Sequence, residues 1–299
     1  FESGWEASQK MSRREGSRGG KWTACTHLKI FGINTAPFFM RFLAYALQPR
    51  SAFELGCGLG TTADYVSRFT PGGSEVTCAE PEPMLSEIFG QRALPKRPTQ
   101  LSVNLFQNSS RGCLEALSAR QFELVYSLEV AEHIPALLRP ILVKALSSMA
   151  SRYLVFSAAR PGQAGVGHAP QKQISWKSWV KLFEAEGFTH ALELTRRARQ
   201  LAWPDRCFDL FRNVVVLLAP GINVGATANL VAQRMADHQR LLNRSLIWPE
   251  KPNWWWNSSA DSCMSTTRRW TNRLRTHFEN ETFPALSQLR WARTLTCAT

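Results

Sequence analysis

A glycine-rich turn after a short apolar run is the first part of this sequence that is suited to chemistry. The run Ser51–Leu55 leads into Gly56, Gly58 and Gly60, and a helical pattern begins at Thr61. Glycines lack side chains, so a ligand can approach the backbone closely, and the N-terminus of the next helix presents free amide groups. The spacing predicts a strand, a tight turn and a helix that together bind a nucleotide-like ligand.

Two acidic residues, one before and one after the glycines, indicate which class of nucleotide-like ligand the turn binds. Glu54 lies in the strand directly before the glycines, where it would repel an anionic pyrophosphate. A ligand with a cationic sulfonium and a cationic amino group would instead be favoured by this carboxylate. Glu80 lies twenty residues after Gly60, at the end of the next apolar run, where a carboxylate can accept both hydroxyls of an adenosine ribose. The two acids therefore favour a sulfonium nucleoside over a dinucleotide.

At these residues the sequence resembles the class I S-adenosylmethionine-dependent methyltransferases. The segment FELGCGLG is similar to the first motif of that family, TCAEPEP to the second, and FELVYSLEVAEHIP to the fourth strand with its following loop. The resemblance covers residues 36 to about 220. It implies S-adenosylmethionine as cofactor and an α/β fold, doubly wound and Rossmann-like. Its mostly parallel sheet has seven strands, helices on both faces and an antiparallel last strand.

The same resemblance implies which residues contact the cofactor. The glycines form the floor under its methionine end, Glu80 binds the ribose, and Glu54 orients the amino-acid moiety. Asn104 lies where many relatives have an Asp that touches the adenine amino group, so this position departs from the family pattern. The implied cofactor contacts are Glu54, Gly56, Cys57, Gly58, Gly60, Glu80, Pro81, Asn104, Ser127 and Glu129.

A base that removes the proton of the methyl acceptor is expected near the ends of the fourth and fifth strands. His133 lies beside Glu132 after the fourth strand, although Glu-His recurs in the resembled family among enzymes with unlike substrates, which favours a loop-shaping role. His168 ends the glycine-rich loop after the fifth strand, and imidazole can accept a proton near neutral pH. An ordinary loop histidine is the alternative there. Arg160, in the same loop, is a candidate to hold an acidic acceptor.

Short apolar runs alternate with helical patterns from residue 36 to residue 220, which predicts βαβ units and a parallel sheet. The predicted strands are Ser51–Leu55, Glu75–Ala79, Gln100–Leu105, Phe122–Ser127, Tyr153–Ser157, His190–Thr195 and Asn213–Leu218. The predicted helices are Ala36–Gln48, Thr61–Phe69, Pro83–Phe89, Arg111–Leu117, Pro135–Met149 and Trp176–Gly187. No clear helix separates the last two strands, so we expect them to form a closing antiparallel hairpin.

Two flanks enclose the domain predicted over residues 22–220. Residues 1–21 are rich in Ser, Gly, Arg and Lys and almost free of aliphatic side chains, which predicts a disordered basic tail. Residues 221–299 contain an amphipathic stretch, Asn229–Leu242, and then six tryptophans among polar and basic residues. We expect them to form a poorly ordered extension. Binding of single-stranded nucleic acid by its Trp and Arg side chains is the alternative.

The net charge of +13 is concentrated at the two ends of the chain, with +5 in residues 1–50, +3 in residues 51–220 and +5 in residues 221–299. A nearly neutral centre is typical of an enzyme core rather than of a domain built on phosphate contacts. The seven cysteines lack metal-ligand spacing, which favours reduced thiols and no metal site. Cys57 and Cys78 have no basic neighbour in sequence and are expected to pack near the cofactor.

No run of eighteen uncharged apolar residues is present, so no membrane span is predicted. The sequence starts at Phe1, so the true start is expected to be missing and any targeting signal with it. A cytoplasmic location is the remaining expectation.

The sequence therefore predicts an S-adenosylmethionine-dependent methyltransferase that acts on an oxygen or nitrogen of a small or medium acceptor. One alternative is an NAD(P)-dependent oxidoreductase, which is disfavoured by the glycine spacing, by Glu54 and by the absence of a Tyr-x-x-x-Lys pair. The other is a nucleic-acid-binding protein that uses the basic C-terminal extension. No motif identifies the acceptor or the oligomeric state.

Overall fold

The computed structural model describes residues 37–58, 60–81, 98–102, 111–163, 173–202 and 212–244. Within them, seven strands form one sheet. The strands are β1 (Ser51–Leu55), β2 (Glu75–Glu80), β3 (Thr99–Ser102), β4 (Phe122–Leu128), β5 (Ala150–Ser157), β6 (Thr189–His190) and β7 (Val215–Leu218). Their order across the sheet is β3-β2-β1-β4-β5-β7-β6. Every neighbouring pair is parallel except those made by β7, which runs antiparallel to both β5 and β6.

Helices cover both faces of this sheet, so its central strands are apolar along almost their whole length. The described helices are α1 (Pro37–Arg41), α2 (Thr61–Phe69), α3 (Arg111–Ala119), α4 (Arg139–Met149), α5 (Trp176–Ala185), α6 (Leu192–Ala202) and α7 (Val224–Arg244). One face of the sheet packs against α3, α4 and α5, and the other packs against α1, α2, α6 and α7. A π-helical turn, Phe42–Leu47, continues α1. The predicted seven-stranded, doubly wound fold is confirmed.

The order of the strands reverses between β1 and β4. From β1 the chain moves outward through β2 to β3, and it then returns to β4 on the other side of β1. The loops that leave the carboxyl ends of β1 and β4 therefore diverge to opposite faces and leave a crevice between them. Ligands of open α/β sheets bind at such a switch point. The glycine turn follows β1, so the topology places it at this crevice.

The predicted strand His190–Thr195 is wrong beyond its first residue. Only Thr189–His190 is extended, and Leu192–Ala202 forms α6. Leu192 and Leu194 alternate as in a strand, but Leu192 is exposed, whereas Leu194 and Ala198 are buried one helical turn apart. The predicted hairpin is therefore corrected to two antiparallel strands separated by a helix, because the helical period decides which side chains face the core.

Some predictions lie outside the described residues, and the C-terminal boundary of the domain differs from the predicted one. The basic tail, the helix Pro83–Phe89 and the tryptophan-rich segment are not described. Residues 224–244, expected to belong to a poorly ordered extension, form α7, and its Val231 is fully buried. The ordered domain therefore extends past residue 220, because an amphipathic helix gains stability from burying its apolar face on the sheet layer. Among the described helices, none has the length and apolarity needed to cross a membrane.

Arg234 fastens α7 to the start of the domain. Its Nη1 donates hydrogen bonds to the backbone oxygens of Leu47, at 2.8 Å, and Ala46, at 3.3 Å. These carbonyls lie at the end of the π-helical turn, where Gln48 adopts the left-handed conformation and the chain leaves the helix. The guanidinium therefore satisfies backbone acceptors that the helix itself leaves without a partner.

Replacing Arg234 by Met should lower the free energy of unfolding by about 1.5 to 3 kcal/mol, the usual cost of losing hydrogen bonds to a charged group. Met retains the apolar stem, so the effect reports on the guanidinium. Chemical denaturation monitored by tryptophan fluorescence measures it. Gln233→Ala, an exposed change on the same helix, is the control and should cost less than about 0.5 kcal/mol. Equal effects of the two substitutions would contradict the anchoring role of Arg234.

Candidate functional site

The turn after β1 is held against the end of β2 by backbone hydrogen bonds. The amides of Gly56 and Cys57 both donate to the Ala79 oxygen, at 2.8 and 3.3 Å, and the Gly60 amide donates to the Cys57 oxygen at 2.7 Å. The φ angles of Gly56, Gly58 and Gly60 are 77°, 54° and 68°. Only glycine adopts this region without strain, which explains why three alternate glycines are needed here. Gly60 is also the N-cap of α2.

Gly56 is required for a second reason, which is close approach to another loop. A Cβ atom at this position would overlap a methyl group of Val130, in the turn after β4. The turns that follow β1 and β4 therefore touch each other at the switch point. This contact holds the two turns side by side where the strand order reverses.

Glu80 lies at the end of β2 and is buried. Its Oε2 accepts a hydrogen bond of 2.7 Å from the backbone amide of Gly58. The carboxyl group is thus held directly against the glycine turn, twenty-two residues away in sequence. The structure therefore brings Glu80 and the glycine turn together.

Glu54 is also buried, on the side of the turn that faces the sheet and α2. It accepts a hydrogen bond from the Tyr126 hydroxyl at 3.1 Å and is further stabilised by the backbone amide of Ala63 in the first turn of α2. Burial raises the pKa of Glu54 to about 8, with the hydrogen bonds opposing this shift and the nearby Glu80 adding to it. Glu54 therefore joins β1, β4 and α2 beneath the glycine turn.

The buried carboxyl of Glu54 should make the stability of the ligand-free protein depend on pH. Its pKa is higher in the folded chain than in the unfolded chain, so folding takes up a proton. The resulting stability is present below about pH 4.5 and is lost as the pH rises through about 8. A shift of this size corresponds to roughly 3 to 5 kcal/mol.

Glu54→Gln retains an acceptor for Tyr126 but cannot ionise, so its melting temperature should fall less between about pH 5 and pH 9 than that of the wild type. Scanning calorimetry across this range tests the expectation. Glu75→Gln, at the exposed start of β2, is the control and should keep the wild-type slope. A wild-type slope in Glu54→Gln would mean that another group carries the dependence.

The turn after β4 is built around Glu129, whose φ of 55° is unusual for a residue with a side chain. Its backbone amide donates to both the backbone oxygen and the hydroxyl of Ser157 at the end of β5, at 3.0 and 3.2 Å. These bonds hold the strained conformation in place. Strain of this kind occurs mainly where the surrounding structure fixes a functional side chain.

Neutral side chains from two later segments surround the Glu129 carboxyl group. Gln163, in the loop after β5, donates from Nε2 to Glu129 Oε2 at 3.1 Å. The Oε1 atom of Gln163 in turn accepts from Asn213 Nδ2 at 2.9 Å, just before β7. The second oxygen of Glu129, Oε1, is buried and accepts no hydrogen bond from the described part of the chain. It therefore lacks the compensation that a buried carboxylate needs.

Burial raises the pKa of Glu129 to about 7, against the effect of its polar neighbours Glu132, Ser157, Asn213 and Gln163. The pKa of Glu132 is raised further, first by burial and then by the charge of Glu129. Two adjacent buried carboxyl groups do not ionise together. The turn after β4 is therefore an acidic site that holds protons near neutral pH.

The other residues predicted for the site occupy different surroundings. Ser127 is buried at the end of β4, and Pro81 is exposed directly after β2. His133 is half-buried in a short 3-10 turn, Ala131–His133, and its backbone amide donates to the Val130 oxygen. The Arg160 side chain is exposed. Asn104 and His168 lie outside the described residues.

Cys57 lies between Gly56 and Gly58 and is buried. Its Sγ accepts a weak hydrogen bond of 3.9 Å from Gln100 Nε2 on β3. Burial raises the pKa of the Cys57 thiol well above its usual value, and the neighbouring thiol of Cys78 adds to the shift. A thiol in this state remains protonated, which suits a packing residue rather than a nucleophile.

Several residues of this site were missed in the sequence. Tyr126 and Val130 read as ordinary members of an apolar strand and its loop, and Gln163 as part of a flexible loop. The sequence predicts Asn213 as the first residue of a strand, and a polar residue directly before Val-Val-Val is the signal that could have identified it as a site residue. No group of three or more metal-ligating side chains occurs in the described ranges.

No protein-family model matches the sequence, and no curated protein matches it. Three solved structures illustrate what the fold is similar to. The first is magnesium protoporphyrin IX methyltransferase from Synechocystis PCC 6803 with bound S-adenosylmethionine, at 16% identity and a TM-score of 0.44, covering 67% of this chain and 86% of that one. The second is the plantazolicin methyltransferase BpumL in complex with S-adenosylhomocysteine. Its sequence identity is 12% and its TM-score 0.45, and the match covers 71% of this chain and 98% of that one.

The third is the N-methyltransferase NodS from Bradyrhizobium japonicum WM9, also with S-adenosylhomocysteine, at 16% identity and a TM-score of 0.40. It covers 54% of this chain and 80% of that one. These proteins are similar to this chain in fold. The strand order and directions of this chain itself show the mostly parallel seven-stranded sheet that the resemblance to class I methyltransferases implied.

Proposed function

We propose that this chain is an S-adenosylmethionine-dependent methyltransferase that acts on an oxygen or nitrogen of a small or medium acceptor. One observation carries the proposal: at the switch point of the sheet the glycine turn is bonded to the buried carboxyl group of Glu80 and packs against Val130, the residue after the buried Glu129. A crevice of this kind suits a nucleoside ligand. Buried acidic groups favour a ligand with cationic groups over one with a pyrophosphate.

The donor and acceptor groups of the site fit this cofactor. We assign the glycine turn to the methionine end and Glu80 to the ribose hydroxyls, with Cys57, Pro81 and Ser127 lining the same crevice. Asn104 is proposed for the adenine amino group. Glu54 acts from behind the turn, because its hydrogen bonds run to Tyr126 and α2. The Oε1 atom of Glu129, which accepts no hydrogen bond from the described residues, is suited to a cationic ligand group.

When bound, the sulfonium supplies an electrophilic methyl group that an oxygen or nitrogen nucleophile can attack. The chain has to position that nucleophile and accept its proton. His133, in the turn after β4, and His168, which follows β5 in the sequence, are the proposed proton acceptors. Arg160, exposed after the end of β5, is the proposed contact for an acidic group on the acceptor.

Isothermal titration calorimetry with S-adenosylmethionine, S-adenosylhomocysteine and NADH tests the proposal. We expect both sulfur compounds to bind and NADH not to bind. Binding of NADH without binding of S-adenosylmethionine would instead support an oxidoreductase and refute the proposal. Incubation with labelled cofactor and small-molecule extracts, followed by mass measurement of methylated products, then identifies the acceptor.

A further inference from the structure

We propose that Glu129 carries a proton in the ligand-free site and releases it to become the carboxylate counter-ion of the cationic cofactor. The inference rests on the proposed function, because it concerns how that cofactor is bound. Cofactor binding in mildly acidic solution is then coupled to the loss of a proton from this side chain.

The position of Glu129 supports a direct role in the crevice. The next residue, Val130, lies against Gly56 at van der Waals contact, so the turn after β4 forms one wall beside the glycine turn. The backbone of Glu129 is fixed in a strained conformation by two hydrogen bonds to Ser157. A strained, doubly anchored residue at a ligand crevice indicates that the placement of its side chain matters.

The hydrogen bonding of Glu129 leaves room for one more partner. Oε2 accepts from Gln163, while Oε1 is buried and accepts nothing from the described residues. The donors around the carboxyl group are the amides of Gln163 and Asn213, the Ser157 hydroxyl and the protonated carboxyl group of Glu132. All of them are neutral, and neutral donors stabilise a carboxylate less than a cation does. A cationic ligand group at Oε1 would supply the missing compensation for its buried charge.

The charged groups around Glu129 determine whether its carboxyl group is protonated before the ligand binds. Titratable groups on the adjoining elements are Glu132 and His133 in the same turn, Glu54 and Glu80 at the ends of β1 and β2, and the exposed Arg160 after β5. Gln163 and Asn213, from the segments after β5 and before β7, are uncharged. Burial raises the pKa of Glu129 to about 7.

A positive ligand group lowers this pKa again, because it favours the ionised form. Below about pH 7 the ligand-free side chain is mainly protonated, so binding expels the proton and affinity rises as the pH approaches 7. The limiting slope is about tenfold in affinity per pH unit for one proton. No covalent bond changes, and the released proton passes to the buffer.

The test is calorimetry of S-adenosylmethionine binding at about pH 6, below the titration of the cofactor's own amino group. Repeating the titration in buffers of different ionisation enthalpy gives the number of protons released. We expect about one proton for the wild type and close to none for Glu129→Gln. Glu129→Asp keeps a carboxyl group and should restore most of the release, which a purely structural role would not require.

Two further variants assign the proton. Glu54→Gln removes the other buried carboxyl that titrates near neutral pH, and Glu186→Gln, after the end of α5, is an exposed control. The Glu186→Gln control should release as many protons as the wild type, and a release that persists in folded Glu54→Gln assigns the proton to Glu129 rather than to Glu54. Thermal unfolding of each variant verifies that it is folded.

The inference is overturned if the wild type binds the cofactor without releasing a proton. It is equally overturned if folded Glu129→Gln releases as many protons as the wild type, or if the release disappears in Glu54→Gln instead. Failure of S-adenosylmethionine to bind the wild type at all is a different result, because it refutes the proposed function itself.

Discussion

Gly56→Ala is expected to lower the free energy of unfolding by about 2 to 5 kcal/mol and to abolish cofactor binding. Two costs add at this position. Its φ of 77° disfavours any residue with a Cβ, by about 1 to 2 kcal/mol. The new methyl group also overlaps Val130, and the turn that carries Val130 is held by its hydrogen bonds to β5. The overlap can therefore be relieved only if the glycine turn moves, and this movement displaces the backbone that is proposed to bind the cofactor.

Gly72 offers a matched control, because it has nearly the same φ, 81°, but an added Cβ would meet nothing within 4 Å. Gly72→Ala should therefore show only the conformational cost, about 1 to 2 kcal/mol, and full cofactor affinity. Adding Val130→Ala to Gly56→Ala removes the overlapping methyl groups and should recover part of the stability. Denaturant titration and calorimetry measure both properties. If Gly56→Ala and Gly72→Ala behaved alike, close packing of the two turns would not be what requires a glycine.

Glu80→Ala is expected to weaken S-adenosylmethionine binding by about 1.5 to 3 kcal/mol for each ribose hydrogen bond that is lost, which is roughly ten- to hundredfold in affinity per bond. The carboxyl group is buried and held against the glycine turn by the Gly58 amide. Part of the loss is therefore expected to come from the turn, whose amide loses its acceptor. Calorimetric titration of the cofactor gives the total effect.

Two comparisons separate these contributions. Glu80→Gln keeps an oxygen that can accept from Gly58, so it should preserve the turn and lose mainly the charge-assisted part of the ribose contact. S-adenosylhomocysteine and its 2′-deoxy analogue, each titrated into wild type and Glu80→Ala, form a cycle whose coupling energy reports the ribose contact directly. Glu75→Ala, at the other end of β2, is the control and should bind normally. If the effects of Glu80→Ala and of removing the 2′-hydroxyl were strictly additive, Glu80 would not contact the ribose.

Local features that depend on backbone conformation and on short-range periodicity can be predicted from the amino-acid sequence. The strand Ser51–Leu55 and the helix Thr61–Phe69 occur with the predicted bounds, because an apolar run and an amphipathic pattern leave few alternatives. The glycines between them were readable, since positive φ angles require that residue. By the same reasoning, the order of runs and helical patterns was sufficient to predict a seven-stranded sheet.

The identity of the distant residues around the buried acids depends instead on how the elements pack together. Tyr126 reaches Glu54 across seventy-two positions, and Gln163 reaches Glu129 across thirty-four. Such contacts depend on the register of neighbouring strands and on the paths of loops, and side-chain spacing along the chain does not encode either. The same limit explains the two helices that the sequence did not predict. The first leucines of α6 fit both a strand and a helical period, and burial in the core favours the helix. The helix α7 is anchored by hydrogen bonds from Arg234 to carbonyl groups almost two hundred residues earlier. Local sequence patterns therefore determine the strands and helices, whereas burial between these elements determines the protonation and the hydrogen-bond partners of the acidic residues in the site.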